Sequence, residues 1–263
     1  MSGGNSNKYD VEIKKHLDWL RSFDVRYTTK WEMLLENDAE AAICEAMTRD
    51  LLECHKIEIK PYENLSIGGP DFLCCKDEKH FYVEVTCLKR DTVTQKSHAP
   101  EEPLTGHYAF LITKALLQKL VGKVKQCSNL KHPCVIAIGT EHRRGYHYLG
   151  NYAAKALLTG TPKITGEIDL EQGKTTTGPY LSTDLKDSAF IYYEKNSLGH
   201  LECKRNPISA VLLCDFGSDP VKVVGALHPN PNRVFDRILL PKIKFCRLVE
   251  GCIQATQLKV EWI

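Results

Sequence analysis

The chain has 263 residues, of which 43% are hydrophobic and 26% charged, and its formal net charge is +2. This composition is typical of a globular protein with one large domain or two small ones. No apolar run approaches the roughly 18 residues of a membrane-spanning helix, so we expect no membrane association. The polar N-terminus lacks the apolar core of a signal peptide, and the cysteines lie mostly in apolar runs without a CxxC pair. We therefore expect a cytoplasmic protein with reduced thiols and no zinc ribbon.

The first part of the chain has the apolar spacing of three helices, followed by strands. The spacing predicts helices over residues 9–23, 31–35 and 39–54, and Asn37 or Asp38 can cap the third. Alternation at residues 57–59 predicts a strand. Two short apolar runs then flank a charged turn at residues 76–79, which predicts a β-hairpin ending at Leu88.

The rest of the chain alternates between clear elements and polar segments. Residues 91–105 are polar and contain two prolines, which predicts a loop. A helix is predicted over 109–127, and the continuous apolar run 134–139 predicts a buried central strand. The second half predicts a helix over 151–158, a long loop or a partly ordered insertion over 159–183, and strands at 190–194 and 210–214.

These elements predict an α/β fold with a mixed central sheet flanked by helices. We expect one domain over residues 1–263, made of an N-terminal helical extension (1–36), a core (37–140) and a C-terminal extension of strands and loops (141–263). The order within the core is helix, strand, strand, strand, helix, strand.

Two carboxylates stand out in the predicted hairpin. Glu84 lies between Val83 and Val85, and because side chains alternate along a strand it shares a face with Tyr82. A carboxylate within such a run is costly to bury unless it is paired. Asp71 lies at the start of the first hairpin strand. A divalent cation suits both residues, since hard cations take oxygen ligands. Alternatively, Glu84 is a solvated residue of an edge strand, and Asp71 merely begins a turn.

The elements Pro70-Asp71 and Glu84-Val85-Thr86, within this order of helices and strands, resemble the PD-(D/E)xK phosphodiesterase superfamily. The resemblance covers residues 39–139 and implies a restriction-endonuclease-like core that uses Mg²⁺ or Mn²⁺. It implies that Asp71, Glu84 and the Val85 carbonyl bind the metal, and that Glu45 on the preceding helix holds a water or a second ion. Glu40 is the competing candidate on the same helix.

The chain departs from the family pattern at Thr86, where the motif has a lysine. That lysine would help to activate the attacking water and offset charge on the phosphate, which threonine cannot do. Some members place a lysine on the following helix, where this chain has Lys119, Lys123 and Gln126 at i, i+4 and i+7. Lys123 is the first choice, Lys119 the second, and both can alternatively be solvated surface. Lys89 is a weaker substitute, because its odd offset from Thr86 places it on the other strand face.

The resemblance implies a metal-dependent nuclease acting on DNA, or else on RNA, and it leaves a homodimer open. Gln126, Arg143 and Arg144 are candidates for contacts with the nucleic acid, and the two arginines can equally belong to a plain surface loop. One alternative, suggested by Thr86, is a catalytically degenerate nuclease fold that serves as a binding or assembly module. Another, suggested by the near-neutral charge, is a metal-dependent enzyme with a different substrate.

Overall fold

The structure is a computed structural model that describes residues 8–63, 68–97, 109–143, 145–169, 174–185, 188–193, 201–250, 253 and 258–263. The helices in chain order are α1 (Asp10–Arg21), α2 (Val25–Asn37), α3 (Ala39–Cys54), α4 (Arg90–Ser97), α5 (Ala109–Lys123), α6 (Gly145–Leu149) and α7 (Asn151–Thr159). The strands are β1 (Glu58–Pro61), β2 (Phe72–Lys76), β3 (Lys79–Cys87), β4 (Cys134–Thr140), β5 (Thr161–Asp169), β6 (Lys174–Asp184), β7 (Ile191–Tyr193), β8 (Leu201–Cys203), β9 (Ala210–Asp215), β10 (Lys222–Leu227), β11 (Lys244–Leu248) and β12 (Val260–Trp262).

A large mixed sheet with helices on its faces organises the described residues, which confirms the predicted α/β class. Its eight strands follow the order β1-β2-β3-β4-β9-β10-β11-β12. Strands β3, β4 and β9 run parallel to one another, as do β10 and β11, while the remaining neighbours are antiparallel. The C-terminal strands therefore extend the sheet that the core begins, as predicted. Two further pairs, β5 with β6 and β7 with β8, form separate two-stranded sheets.

Strand β4 is buried on both faces, as its continuous apolar sequence predicted. Ile136 and Ile138 belong to a core shared with Leu116 and Leu120 of α5. Val135, on the other face, belongs to a core that includes Cys44 and Leu52 of α3. The alternation of side chains along β4 thus supplies both hydrophobic layers. A third cluster, formed by Leu20, Trp31, Ala42 and Ala46, joins α1 and α2 to the outer side of α3.

The hairpin of β2 and β3 closes with a two-residue turn, Asp77 and Glu78, both of which have positive φ. Positive φ at both central residues is the type I′ geometry whose twist matches that of hairpin strands. The turn fixes the register, so that Phe72 pairs with Val83. Asp71 is therefore carried alongside Glu84, the next residue of β3.

Several predicted elements have other bounds in the structure. Residues 90–97 form α4 where a loop was predicted. Val93, fully buried, is the one apolar residue in this helix, so no periodic pattern indicated it. The N-terminus of α4 is held from outside, since the Arg90 N–H donates to Glu40 Oε2 at 2.7 Å. Helix α2 is also longer than predicted, and the Asp24 side chain caps it by accepting a hydrogen bond from the Arg26 N–H.

The long loop predicted over residues 159–183 is wrong, because β5 and β6 pair as an antiparallel hairpin there. Its glycines and lysines suggested a loop, but the segment is also rich in threonine, a β-branched residue that favours strands. Helix α6 and strands β8, β10, β11 and β12 had no prediction. The predicted helix at 109–127 ends at Lys123, which places Gln126 in the turn beyond it. Of the helices in the described ranges, none is long and apolar enough to cross a membrane.

Substituting Gly139 tests the packing of β4 against α3. A Cβ at Gly139 would lie 2.5 Å from Phe216 Cε2 and 2.9 Å from Cys44 Sγ. Both neighbours are buried, so we expect Gly139→Ala to lower the free energy of unfolding by about 1–3 kcal/mol in urea denaturation. Gly122→Ala is the matched control, since nothing lies within 4 Å of its added Cβ. In the exposed part of α5 it should stabilise by about 1 kcal/mol, and equal effects at both positions would contradict the assigned packing.

Candidate functional site

The candidate site lies where the C-terminal part of β3 extends past the first residue of its neighbour β2. Strand β2 begins at Phe72, paired with Val83, whereas β3 continues to Cys87. Asp71 occupies the gap, and its Oδ2 accepts a hydrogen bond from the Val85 N–H at 2.6 Å. The N–H and C=O of a strand residue point to the same side, so the Val85 carbonyl faces this gap as well. The predicted pair of Asp71 and the Val85 carbonyl is thus brought together.

Glu84 enters the site from the face of the sheet that α5 covers. Its side chain is 1% exposed and its Oε1 accepts a hydrogen bond from Lys123 Nζ, while Oε2 is buried without a partner among the described residues. Leu120 and Leu116, one and two turns earlier on α5, are fully buried in the core beneath the helix. The same helix therefore anchors its apolar side on the sheet and delivers the ammonium of Lys123 to Glu84.

Glu45 enters from the opposite face, on α3. Its side chain is 18% exposed, and its Oε1 lies 3.5 Å from Nε2 of the fully buried His16. A cavity of about 470 Å³ connects the two faces at the gap, and it is lined by Glu45, Asp71, Val85, Lys119, Lys123 and Gln126, among others. Glu84 is not among the described lining residues and lies behind Lys123. Glu45, Asp71, Val85, Lys119, Lys123 and Gln126, all predicted site residues, thus line one cavity. Glu84 contacts this cavity through Lys123.

Burial and mutual repulsion make the three carboxyl groups poor acids. Burial raises the pKa of Glu84 to about 8, with a further contribution from Asp71, while Lys123 acts in the opposite direction. Burial, followed by the charge of Glu63, raises the pKa of Glu45 to about 8. Burial and the charge of Glu45 raise the pKa of Asp71 well above its usual range, despite the Val85 N–H. The site therefore gathers more negative charge than its own cations offset.

The donor set suits a hard divalent cation. Carboxylate and carbonyl oxygens are the ligands that Mg²⁺ prefers, and the buried Oε2 of Glu84 has no partner in the part of the chain that the structure describes. Asp71, Glu84 and the Val85 carbonyl would hold such an ion, with Glu45 beside them. Within the described residues, no group of three His, Cys, Asp or Glu side chains is already arranged to hold a metal. Lys123 occupies one oxygen of Glu84, so an ion would share or displace that contact.

The remaining predicted residues fall in different places. Lys119 lines the cavity, and so does Gln126 from the turn after α5. Arg143 is exposed in the turn after β4 and does not line the cavity, and Arg144 lies outside the described residues. Glu40, the competitor of Glu45, instead holds the N-terminus of α4.

Sequence reasoning did not identify the ion pair of Asp38 with Lys89 at the rim of the cavity, where Nζ lies 2.8 Å from Oδ2. Asp38 was considered only as a helix cap, and its side chain does accept from the Ala41 N–H at 3.3 Å. Lys89 was placed on the other strand face, but it follows the end of β3, where alternation no longer applies. Contacts of this kind have no local sequence pattern.

The chain has no recognisable relative in the comparisons with known proteins. No family model matches it, and neither a curated protein nor a solved structure is similar to it.

The raised carboxyl pKa values predict that stability falls as the pH rises. For Glu45 the pKa rises from its ordinary 4.5 to about 8 on folding. Between these values the folded state binds more protons than the unfolded state, so the free energy of unfolding decreases with increasing pH. We expect Glu45→Gln to remove part of this decrease, on the order of 1–3 kcal/mol between pH 5 and pH 8.

Urea denaturation without divalent metal at both pH values measures the effect. Glu250→Gln is the control, because Glu250 is an exposed carboxylate away from the cavity. It should leave the pH dependence of the parent unchanged. If Glu45→Gln has the same pH dependence as the parent, burial and the charge of Glu63 do not raise the pKa of Glu45 as described.

Proposed function

We propose that this protein is a metal-dependent nuclease that hydrolyses phosphodiester bonds in DNA or RNA. The observation that carries the proposal is the contact of Lys123 Nζ with Glu84 Oε1, beside the pair of Asp71 and Val85. Two acidic groups and one ammonium group at the open edge of a strand are the groups that the resemblance to the PD-(D/E)xK superfamily requires. The lysine comes from α5, which replaces the lysine missing at Thr86.

Asp71, Glu84, Val85 and Lys123 each have a distinct role in this proposal. A divalent ion at the carboxylates supplies Lewis-acid polarisation of the phosphodiester and activation of a water nucleophile. Asp71 and Glu84 hold the ion, and the Val85 N–H orients Asp71 by donating to its Oδ2. The ammonium of Lys123 offsets the negative charge that grows on the phosphate. Burial lowers the pKa of Lys123, but the charge and hydrogen bond of Glu84 together with the charge of Asp71 raise it above its ordinary value, so the ammonium stays charged at neutral pH.

The position of Lys123 also bears on the degenerate-nuclease alternative. That alternative rests on the lack of a lysine at Thr86, which shares its strand face with Glu84. Because Lys123 reaches Glu84 from the helix that covers this face, positive charge is supplied without the motif lysine. Lys119, which lines the same cavity one turn earlier, adds a second cation for a phosphate. These two lysines favour an active site over an inert one.

The first test of this proposal removes the charge of either metal-binding carboxylate. Asp71→Asn and Glu84→Gln keep the shape of the side chain but weaken its attraction for a cation. We expect each to lower the rate of Mn²⁺-dependent cleavage by ~10²-fold or more and to weaken Mn²⁺ binding in calorimetry. Glu58→Gln, an exposed carboxylate on β1, is the matched control and should cleave like the parent. A folded Asp71→Asn or Glu84→Gln variant with full activity would refute the assignment.

The second test concerns the lysine. Lys123→Ala should lower the cleavage rate at saturating Mn²⁺ by ~10²-fold or more, because one preorganised charge at the phosphate is lost. Metal affinity should not weaken, since lysine is not a ligand and its removal frees Glu84 Oε1. Lys119→Ala is the internal control and should be milder, because no contact of Lys119 with the carboxylates is seen.

Thr86→Lys completes this second experiment. If both lysine variants cleave like the parent, the face of α5 is only solvated surface. If the parent cleaves nothing and Thr86→Lys does, the degenerate-nuclease alternative is correct.

A further inference from the structure

We infer that an aromatic cavity beside the carboxylates receives a single unstacked nucleobase of the substrate strand, an inference that rests on the proposed function. The cavity measures about 190 Å³ and its aromatic walls are Trp19, Tyr27, Trp31 and Phe72. It forms where α1 and α2 meet α3 and the start of β2. We refer to it as the aromatic cavity.

The aromatic cavity adjoins the carboxylate site directly. Glu45 and Asp71 line both this cavity and the larger one of about 470 Å³. A nucleotide whose phosphate lies near Asp71 therefore has its base within reach of the aromatic walls. The two cavities together have the chemistry of one nucleotide, with charged groups for the phosphate and ring faces for the base.

The dimensions and walls of the aromatic cavity suit one planar ring system. Its volume is below the roughly 300–1,000 Å³ of pockets for drug-sized ligands. Aromatic side chains hold bases of any sequence, because every base presents a π-face for stacking. Trp31 is 3% exposed, and its buried Nε1 has no hydrogen-bond partner among the described residues. Lys30, also in the lining and exposed, forms an ion pair with Glu63 at the edge of the same cavity.

Imperfect packing of the N-terminal helices is the competing explanation. Trp31 does belong to the core cluster of these helices, and the buried ring of His16 packs on it with centroids 4.7 Å apart. A packing void, however, would be small and apolar, since protein interiors hold few spaces larger than a water molecule. This cavity is larger, and its lining includes the carboxylates of Glu45, Glu63 and Asp71. Tyr27 and Trp19 remain partly exposed, so the rings are accessible from solvent.

A base can enter the aromatic cavity only after it leaves its stack. A paired duplex must spend a few kcal/mol to extrude a base, whereas a single strand or an unpaired nucleotide does not. The inference thus specifies the substrate class as single-stranded or locally unpaired nucleic acid. It also gives the N-terminal helices a role in substrate selection.

Tryptophan fluorescence measures base binding without cleavage. The chain has three tryptophans, and two of them, Trp19 and Trp31, line the aromatic cavity. In a Trp262→Phe background all tryptophan emission comes from these two. A single-stranded DNA oligonucleotide of about ten nucleotides, added in EDTA, should quench the emission saturably. The same strand in a duplex should bind at least about tenfold more weakly.

Substitution of Tyr27 tests the stacking itself. Tyr27→Leu removes one aromatic wall and should weaken binding of the single strand about tenfold or more, as loss of a stacking side chain does. Tyr27→Phe is the matched control, because it keeps the ring and removes only a hydroxyl that donates to the Glu63 carbonyl at 3.4 Å. It should bind like the parent.

The outcomes separate this inference from the proposed function. A parent that cleaves nucleic acid, with single-strand affinity unchanged by Tyr27→Leu or with equal affinity for duplex, overturns the base pocket and leaves the nuclease. Quenching that is lost in Tyr27→Leu and kept in Tyr27→Phe supports the base pocket, and it does so even if the parent cleaves nothing. No quenching by the single strand in a folded parent also overturns the base pocket.

Discussion

The buried carboxylate of Glu84 is the constraint around which the site is built. A charge taken out of water on a central strand costs several kcal/mol unless a partner offsets it. Here the partner is Lys123, an amphipathic side chain whose aliphatic part lies over the sheet and whose ammonium contacts the carboxylate. The hydrophobic contacts of Leu116 and Leu120 hold α5 where this pairing is possible. The hydrophobic contacts and the ion pair of Lys123 with Glu84 therefore stabilise the same position of α5.

The second constraint is that β2 begins only at Phe72, opposite Val83, so the edge of β3 that faces β2 has no strand partner beyond Val83, although β4 pairs with β3 on its other side. Because that edge is unpaired, side chains from both faces of the sheet can meet around it. Glu45 arrives with α3 and Lys123 with α5, and Asp71 lies between them. The resulting repulsion among the carboxyl groups disfavours the metal-free folded state at high pH. Local instability of this kind is common at functional sites, where it favours binding of a cation.

Much of this arrangement follows from local sequence. Because side chains alternate along β3, the sequence predicts that Glu84 lies on the opposite strand face from Val83 and Val85. The charged turn between two apolar runs predicts the hairpin. The bounds of α3 and the burial of β4 were predicted correctly, because periodicity and a continuous apolar run are strong local signals. The prediction that Lys123 approaches the carboxylates also rested on helical spacing alone, because the apolar residues near it on the helix were expected to face the sheet.

Only the tertiary structure decided the rest. Helix α4 has a single buried apolar residue and depends on Glu40, fifty positions earlier in the chain, to hold its first turn. β5 and β6 pair as strands although the composition of this segment is typical of loops. The aromatic cavity exists because Trp19 and Trp31, on separate helices, meet Phe72 on a strand. The sequence by itself determined the buried strand β4, the bounds of α3 and the face that Glu84 shares along β3, because each has a local periodic or apolar pattern. The contacts between distant elements depend on long-range packing, which no local pattern encodes.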